Sequence, residues 1–158
     1  MEAIVQVDLR QRPAEGSIEV TAAVILAAGA SSRMGSPKAL LEFEGETFLA
    51  RLARLFQSCC PGPVVAVLGY HADALRAALP PGVTAVVNPD PARGMLSSLQ
   101  CGLVETLAAA ADVFFTPVDF PAIQPETIAR LKDVAGSIVI PRFHGGRGHP
   151  VRISASVR

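Results

Sequence analysis

The chain has 158 residues, of which 50% are hydrophobic and 18% charged, with 14 Lys plus Arg against 14 Asp plus Glu. So many aliphatic residues and so little net charge fit one packed domain and exclude a disordered acidic or basic chain. A formal charge of zero also excludes a global field that would recruit nucleic acid or an anionic membrane, so any anion binding has to be local.

No apolar run approaches the roughly 18 residues of a membrane-spanning helix. The first twelve residues carry Glu2 and Asp8 and lack the basic-then-apolar layout of a secretory leader. Cys59, Cys60 and Cys101 are odd in number, and two of them are adjacent. They fit neither a disulfide framework nor a zinc spacing, and they read as small buried hydrophobes of a cytoplasmic protein.

Taken in chain order, residues 1–20 are weakly patterned, with Ile4-Val5-Gln6-Val7 as an edge strand or a mobile arm. Residues 21–158 read as one domain. Ala22 to Ala27 is a continuous apolar run ahead of Gly29, the mark of a strand buried on both faces. A Gly/Ser-rich stretch leads to Lys38. A helix is expected over 48–58, with Leu49, Leu52, Leu55 and Phe56 on one stripe, stopped by Pro61-Gly62-Pro63. Further strands are expected over 64–68, 83–87, 113–115, 137–140 and 151–153. Further helices are expected over 71–79, 94–111 and 124–135, the last with Pro125 in its first turn. Strands that alternate with helices predict a three-layer α/β/α domain with a mostly parallel, Rossmann-like sheet. Ligands of such sheets collect beyond the carboxyl ends of the strands. That rule selects the loops after Ala27, Val87 and Phe115.

The first of these loops runs Leu26-Ala27-Ala28-Gly29-Ala30-Ser31-Ser32-Arg33-Met34-Gly35-Ser36-Pro37-Lys38. Its small residues let backbone amides close around an anion, and Arg33 and Lys38 add two cations, a combination suited to a polyphosphate. It is not a Walker loop, because five residues separate Gly29 from Gly35 and Lys38 does not follow the glycine. The dinucleotide fingerprint fails at its second glycine. A plain surface loop with incidental cations accounts for the same residues, and the residues alone leave both readings open.

Leu26 to Lys38 resembles the LAAGxSxRMGxPK signature of the molybdopterin nucleotidyltransferase superfamily, closest to its molybdenum cofactor cytidylyltransferases. Three later segments share the resemblance in order: Asn88-Pro89-Asp90 with Gly94-Met95-Leu96-Ser97-Ser98-Leu99, then Thr116-Pro117-Val118-Asp119-Phe120-Pro121, then Gly146-Arg147-Gly148-His149-Pro150-Val151. The resemblance implies a nucleotidyltransferase fold and transfer of a nucleoside monophosphate from an NTP to molybdopterin with loss of pyrophosphate. Arg33, Lys38 and Asp119 would be catalytic, with Asp119 holding Mg²⁺. Leu26, Ala27, Ala28, Gly29, Ser31, Ser32, Arg33, Lys38, Asn88, Ser97 and Ser98 would surround the nucleotide. Gly148, His149 and Pro150 would line the acceptor pocket.

Each role has a structural rival. Asp119 also suits a turn before Pro121, Ser97 and Ser98 also suit helix capping, and Asn88 also suits fixing its own loop. Asp90 reads as a turn residue, and His71 and His144 read as surface or structural. Ala28 stands where guanylyl-type relatives often carry glycine, which leans toward CTP. A sugar phosphate or another small phosphorylated acceptor is the first alternative. The second is a weakly catalytic nucleotide-binding accessory protein serving a molybdoenzyme. It arises because family members continue into a D-x-D-T-P-like segment, whereas this chain has no Asp or Glu after Asp133. The expectation is therefore a domain short at its C-terminus.

Overall fold

The computed structural model describes residues 4–8, 20–31, 35–106, 109–154 and 157. Ten strands and four helices alternate along them. The strands are β1 Ile4–Asp8, β2 Thr21–Ala27, β3 Glu42–Phe43, β4 Glu46–Thr47, β5 Val64–Leu68, β6 Val83–Val87, β7 Asp112–Pro117, β8 Ile138–Phe143, β9 Gly146–Arg147 and β10 Val151–Ser154. The helices are α1 Phe48–Cys59, α2 Ala72–Ala77, α3 Met95–Thr106 and α4 Pro125–Lys132.

The main sheet has the order β1-β8-β10-β7-β2-β5-β6, with β9 paired to β8; β3 and β4 form a separate hairpin. β2 is parallel to both β5 and β7, and β5 is parallel to β6. β10 alone runs against both of its neighbours, β7 and β8. The mostly parallel α/β sheet of the sequence reading is what the chain forms.

β2 shows why. All seven of its residues are buried, and alternate side chains enter different cores. Ala23, Ile25 and Ala27 pack with Leu49, Leu52 and Phe56 of α1, Leu75 of α2 and Ile128 and Leu131 of α4. Ala22, Val24 and Leu26 pack with Leu99 of α3, Val113 and Phe115. Helices therefore cover both faces, giving three layers. Each fully buried Leu or Phe contributes about 1.5–3 kcal/mol of transfer free energy. α3 lies close against β2 because residue 102 is glycine: a Cβ there would sit 2.4 Å from Val24 Cγ1.

Local signals set the helix ends. Thr47 Oγ1 accepts the Ala50 amide at 3.2 Å and starts α1. α4 stops at Lys132, short of the expected residue 135, because the carbonyls of Lys132, Val134 and Gly136 are taken by the Arg152 guanidinium. α3 is described through Thr106, also short of expectation. By Ala111 the chain has left the helix, since that amide donates to Val20 O at 2.9 Å. β8 runs three residues beyond expectation, through Pro141, because the Pro141 carbonyl accepts the Gly148 amide and Arg142 and Phe143 pair with β9.

Candidate active site

β2, β5, β6 and β7 all end at one edge of the sheet. β10, running the other way, begins there, so the Gly148-His149-Pro150 loop joins the same edge. A cavity of about 460 Å³ opens at this edge. Of the residues expected around a nucleotide, Leu26, Ala27, Ala28, Gly29, Ser31, Lys38 and Ser98 line it, and so does Asp119. Ser32 and Arg33 lie outside the described residues.

The loop after β2 is held at several points while its inner surface stays open. Ser31, in the left-handed region at φ 49°, accepts the Lys38 amide on Oγ at 3.0 Å and draws Lys38 back over the loop. Val118 N donates to Leu26 O at 3.0 Å, which ties the loop after β7 to the start of this one. A Cβ added to Gly29 would meet no atom within 4 Å. Packing among the described residues thus gives no reason for glycine there, and the open space suits a ligand lying against the backbone. The sequence reading gave His71 a surface or structural role, and its Nε2 lies 2.9 Å from Ala30 O, fastening the loop from the β5–α2 side. No local signal announces that contact, since 41 positions separate the two residues.

Lys38 Nζ lies 3.2 Å from Asp119 Oδ2, and both side chains stay nearly half exposed. Among the described residues Asp119 is the one carboxylate lining the cavity. Asn88 and Ser97 sit behind the wall. The Asn88 side chain is buried, donating from Nδ2 to Ser97 Oγ at 2.9 Å and to Ser98 Oγ at 3.0 Å and accepting the Asp90 amide on Oδ1. Ser97 Oγ in turn donates to Gly94 O at 2.8 Å. With its amide fully engaged, Asn88 fastens the loop after β6 to the first turn of α3, and Asp90 is the turn residue the sequence suggested. Gly94, at φ 90°, supplies the conformation that starts the helix.

His149 stands beside this cavity, between the Phe120 ring at 4.5 Å and the Phe115 ring at 5.9 Å, and is joined to Pro150 by a cis peptide. Burial pushes its imidazole below the usual histidine range, opposed by the Phe115 backbone and the negative charge of Asp119. Burial thus favours the neutral form of the ring. Its Nδ1 is buried with no hydrogen-bond partner among the described residues, and the ring packs beside half-exposed Phe120.

A single carboxylate with no cluster of three or more His, Cys, Asp or Glu among the described residues is a poor cage for a softer metal such as zinc or copper. It does fit Mg²⁺, a hard ion that commonly takes one or two carboxylates and fills its remaining positions with phosphate oxygens and water. No helix of the described residues is long and apolar enough to cross a membrane.

The chain is similar to several known proteins. A probable molybdenum cofactor guanylyltransferase of Rhodopirellula baltica is 36% identical over 110 residues, 68% of this chain and 52% of that protein. The molybdenum cofactor cytidylyltransferase of Escherichia coli is 30% identical over 135 residues, 83% of this chain and 68% of that protein. The chain thus spans about half to two thirds of the length of these relatives. The crystal structure of Rv0371c from Mycobacterium tuberculosis H37Rv superposes with a TM-score of 0.79 at 32% identity, covering 89% of this chain and 74% of that one. A crystal structure of the same protein in complex with manganese superposes at 0.74 and 30% identity, covering 87% and 72%. Residues 23–158 match the MobA-like NTP transferase domain, and the chain belongs to that family.

Proposed function

We propose that this chain transfers a nucleoside monophosphate from an NTP, with CTP preferred, to molybdopterin, releasing pyrophosphate with Mg²⁺ bound at Asp119. The observation that carries the reading is the Lys38–Asp119 pair, 3.2 Å apart, at an open backbone loop on the carboxyl edge of the sheet. The cytidylyl- and guanylyltransferase relatives support the reaction class and the acceptor, and the manganese complex of Rv0371c supports a divalent ion. Ala28, buried and lining the cavity, supports CTP, because its methyl group takes room that glycine would leave free.

The chemistry asks no nucleophile of the protein. A terminal phosphate oxygen of the acceptor attacks the α-phosphorus in line, forming one P–O bond. The P–O bond to the β-phosphate breaks, and pyrophosphate leaves. Backbone amides of the Ala27–Ser31 loop cradle the phosphates, while Lys38 exchanges its Asp119 partner for the negative charge that grows on the α-phosphate and the leaving group. Asp119, released from Lys38, would hold Mg²⁺, which when bound neutralises triphosphate charge. Arg33 would act with Lys38. Neutral His149, with Gly148 and Pro150, would orient the acceptor by one hydrogen bond and by stacking beside Phe120.

Incubation with CTP, Mg²⁺ and molybdopterin is expected to release pyrophosphate and form a cytidylylated product, faster than with GTP. Release with sugar phosphates but not with molybdopterin would reassign the acceptor. No pyrophosphate above background with any NTP and any phosphorylated acceptor would overturn the proposal.

A further inference from the structure

Lys38 and Asp119 are 81 positions apart, yet their charged atoms meet at 3.2 Å. One guanidinium, on neither segment, touches the flanks of both. Arg51 projects from α1 with its side chain only 16% exposed. Its Nε donates to Pro121 O at 2.9 Å, two residues beyond Asp119. Its Nη2 lies 2.8 Å from Glu44 Oε2 and its Nη1 3.9 Å from Glu46 Oε2, while the guanidinium carbon stands 4.8 Å from the centre of the Phe43 ring. Glu44, Glu46 and Phe43 belong to the β3–β4 hairpin, whose first residue, Glu42, follows the Lys38–Leu40 turn after Leu41 alone. The Leu41 carbonyl in turn accepts the Phe48 amide at the start of α1, at 2.8 Å.

We propose that Arg51 is a positioning residue: it pins the loop after β7 and the hairpin that follows Lys38 to the same helix, and so sets the separation of Lys38 and Asp119. The consequence for nucleotide and metal rests on the function proposed above; the clamp itself does not. Arg54 supplies an internal control. It sits on the same helix and makes two contacts with Glu46, at 2.9 and 2.6 Å, but among the described residues none of its hydrogen bonds or ion pairs reaches the loop after β7. Its side chain is 63% exposed. A merely structural role on the hairpin would be shared by both arginines.

Lysine keeps the charge and much of the stem but cannot fork to Pro121 O and Glu44 together. Calorimetric titration of the full chain with CTP, once in EDTA and once in Mg²⁺, measures the gain in affinity that the metal confers. In Arg51→Lys that gain is expected to fall about tenfold, the usual order for a residue that orients a metal ligand, with the metal-free affinity unchanged. Arg54→Lys should leave both constants as they are, and Arg51→Met should move the gain in the same direction as Arg51→Lys. Equal changes with and without Mg²⁺ in Arg51→Lys, or an Arg54→Lys effect of the same size, would overturn the proposal. If the unaltered chain binds no NTP under either condition, the proposed function fails and hydrogen exchange judges the clamp alone. In Arg51→Lys the amides of Asp119 and Phe120 should then exchange faster together with those of residues 42–47, with β5 unchanged. Unaltered exchange at Asp119 and Phe120 would overturn it.

Discussion

Lys38 Nζ to Asp119 Oδ2 at 3.2 Å and Arg152 Nη1 to Asp112 Oδ2 at 3.3 Å are nearly the same contact, placed at opposite edges of one sheet. Their surroundings differ throughout. The first pair is 45% and 41% exposed, the second 8% and 11%. Around Lys38 and Asp119, water screens the attraction, so the pair adds between zero and about 1 kcal/mol to stability and can be exchanged for another partner. Arg152 also donates to the carbonyls of Lys132, Val134 and Gly136, which makes it the bracket between β10 and the end of α4. A short ion pair is thus no guide to its role until its burial and remaining partners are known. The carboxyl edge keeps its charges available; the amino edge keeps its charges engaged.

Four experiments would break or sharpen that contrast. The largest effect is expected at the buried pair. Arg152→Met leaves Asp112 charged and without this partner and frees three carbonyls, so chemical denaturation should show a loss of about 3–5 kcal/mol, with residual nucleotide affinity tracking the folded fraction. A loss below about 1 kcal/mol would place this pair in the same class as the exposed one. Next come Lys38→Ala and Asp119→Asn. Each should lower the rate of pyrophosphate release about 10²–10³-fold, the scale for removing one transition-state charge contact, while leaving the unfolding midpoint almost where it was. Asn88→Ala sits between the two classes. It leaves Ser97, Ser98 and the Asp90 amide without their partner at a cost of about 1–3 kcal/mol, and it should raise KM for the NTP more than it lowers kcat.

The smallest effect concerns Cys60, at the amino edge beside the start of β2. Burial pushes its thiol from 9.0 up to about 11. Between those values the folded state keeps a proton that the unfolded chain loses, so this contribution is complete below pH 9 and fades as pH rises toward 11. Cys60→Ala should therefore flatten the decline of the unfolding midpoint above pH 9, a comparison that thermal scans from pH 8 to 11 would settle. An identical decline in both proteins would contradict the assignment.

The reach of the sequence followed the range of the forces involved. β2 and β5 were legible because a strand covered on both faces must be apolar at every position, as Ala22–Ala27 and Val64–Leu68 are. The loop after β2, Lys38 and Asp119 were legible because their residue types and spacing resemble a family signature, and the structure brings those described residues to one cavity. The β3–β4 hairpin was missed: two-residue strands carry no alternation to detect, and only the Glu44-Gly45 turn, with both residues at positive φ, marked it. His71 on Ala30 and Arg51 on Pro121 were beyond reach for another reason. Those contacts join residues 41 and 70 positions apart through side chains whose types suit many surfaces equally well. Asn88, whose two readings the sequence left balanced, has hydrogen-bond partners that only the fold could supply.

The reversed strand β10 bears on the order in which the sheet can be assembled. β8 reaches β7 only across β10, the last of the strands among the described residues. Without β10, β7-β2-β5-β6 and β1-β8 would be two separate strips, each with an unpaired edge facing the other. Val151 to Ser154 closes both edges at once, and the same four residues deliver Arg152 to the end of α4. Until they arrive, Phe114 and Phe115 border an open seam that chaperones or other nascent chains can reach. A ribosome-stalled chain ending before Val151 should leave the β7 and β8 amides at that seam open to hydrogen exchange, and one extended past Ser154 should protect them.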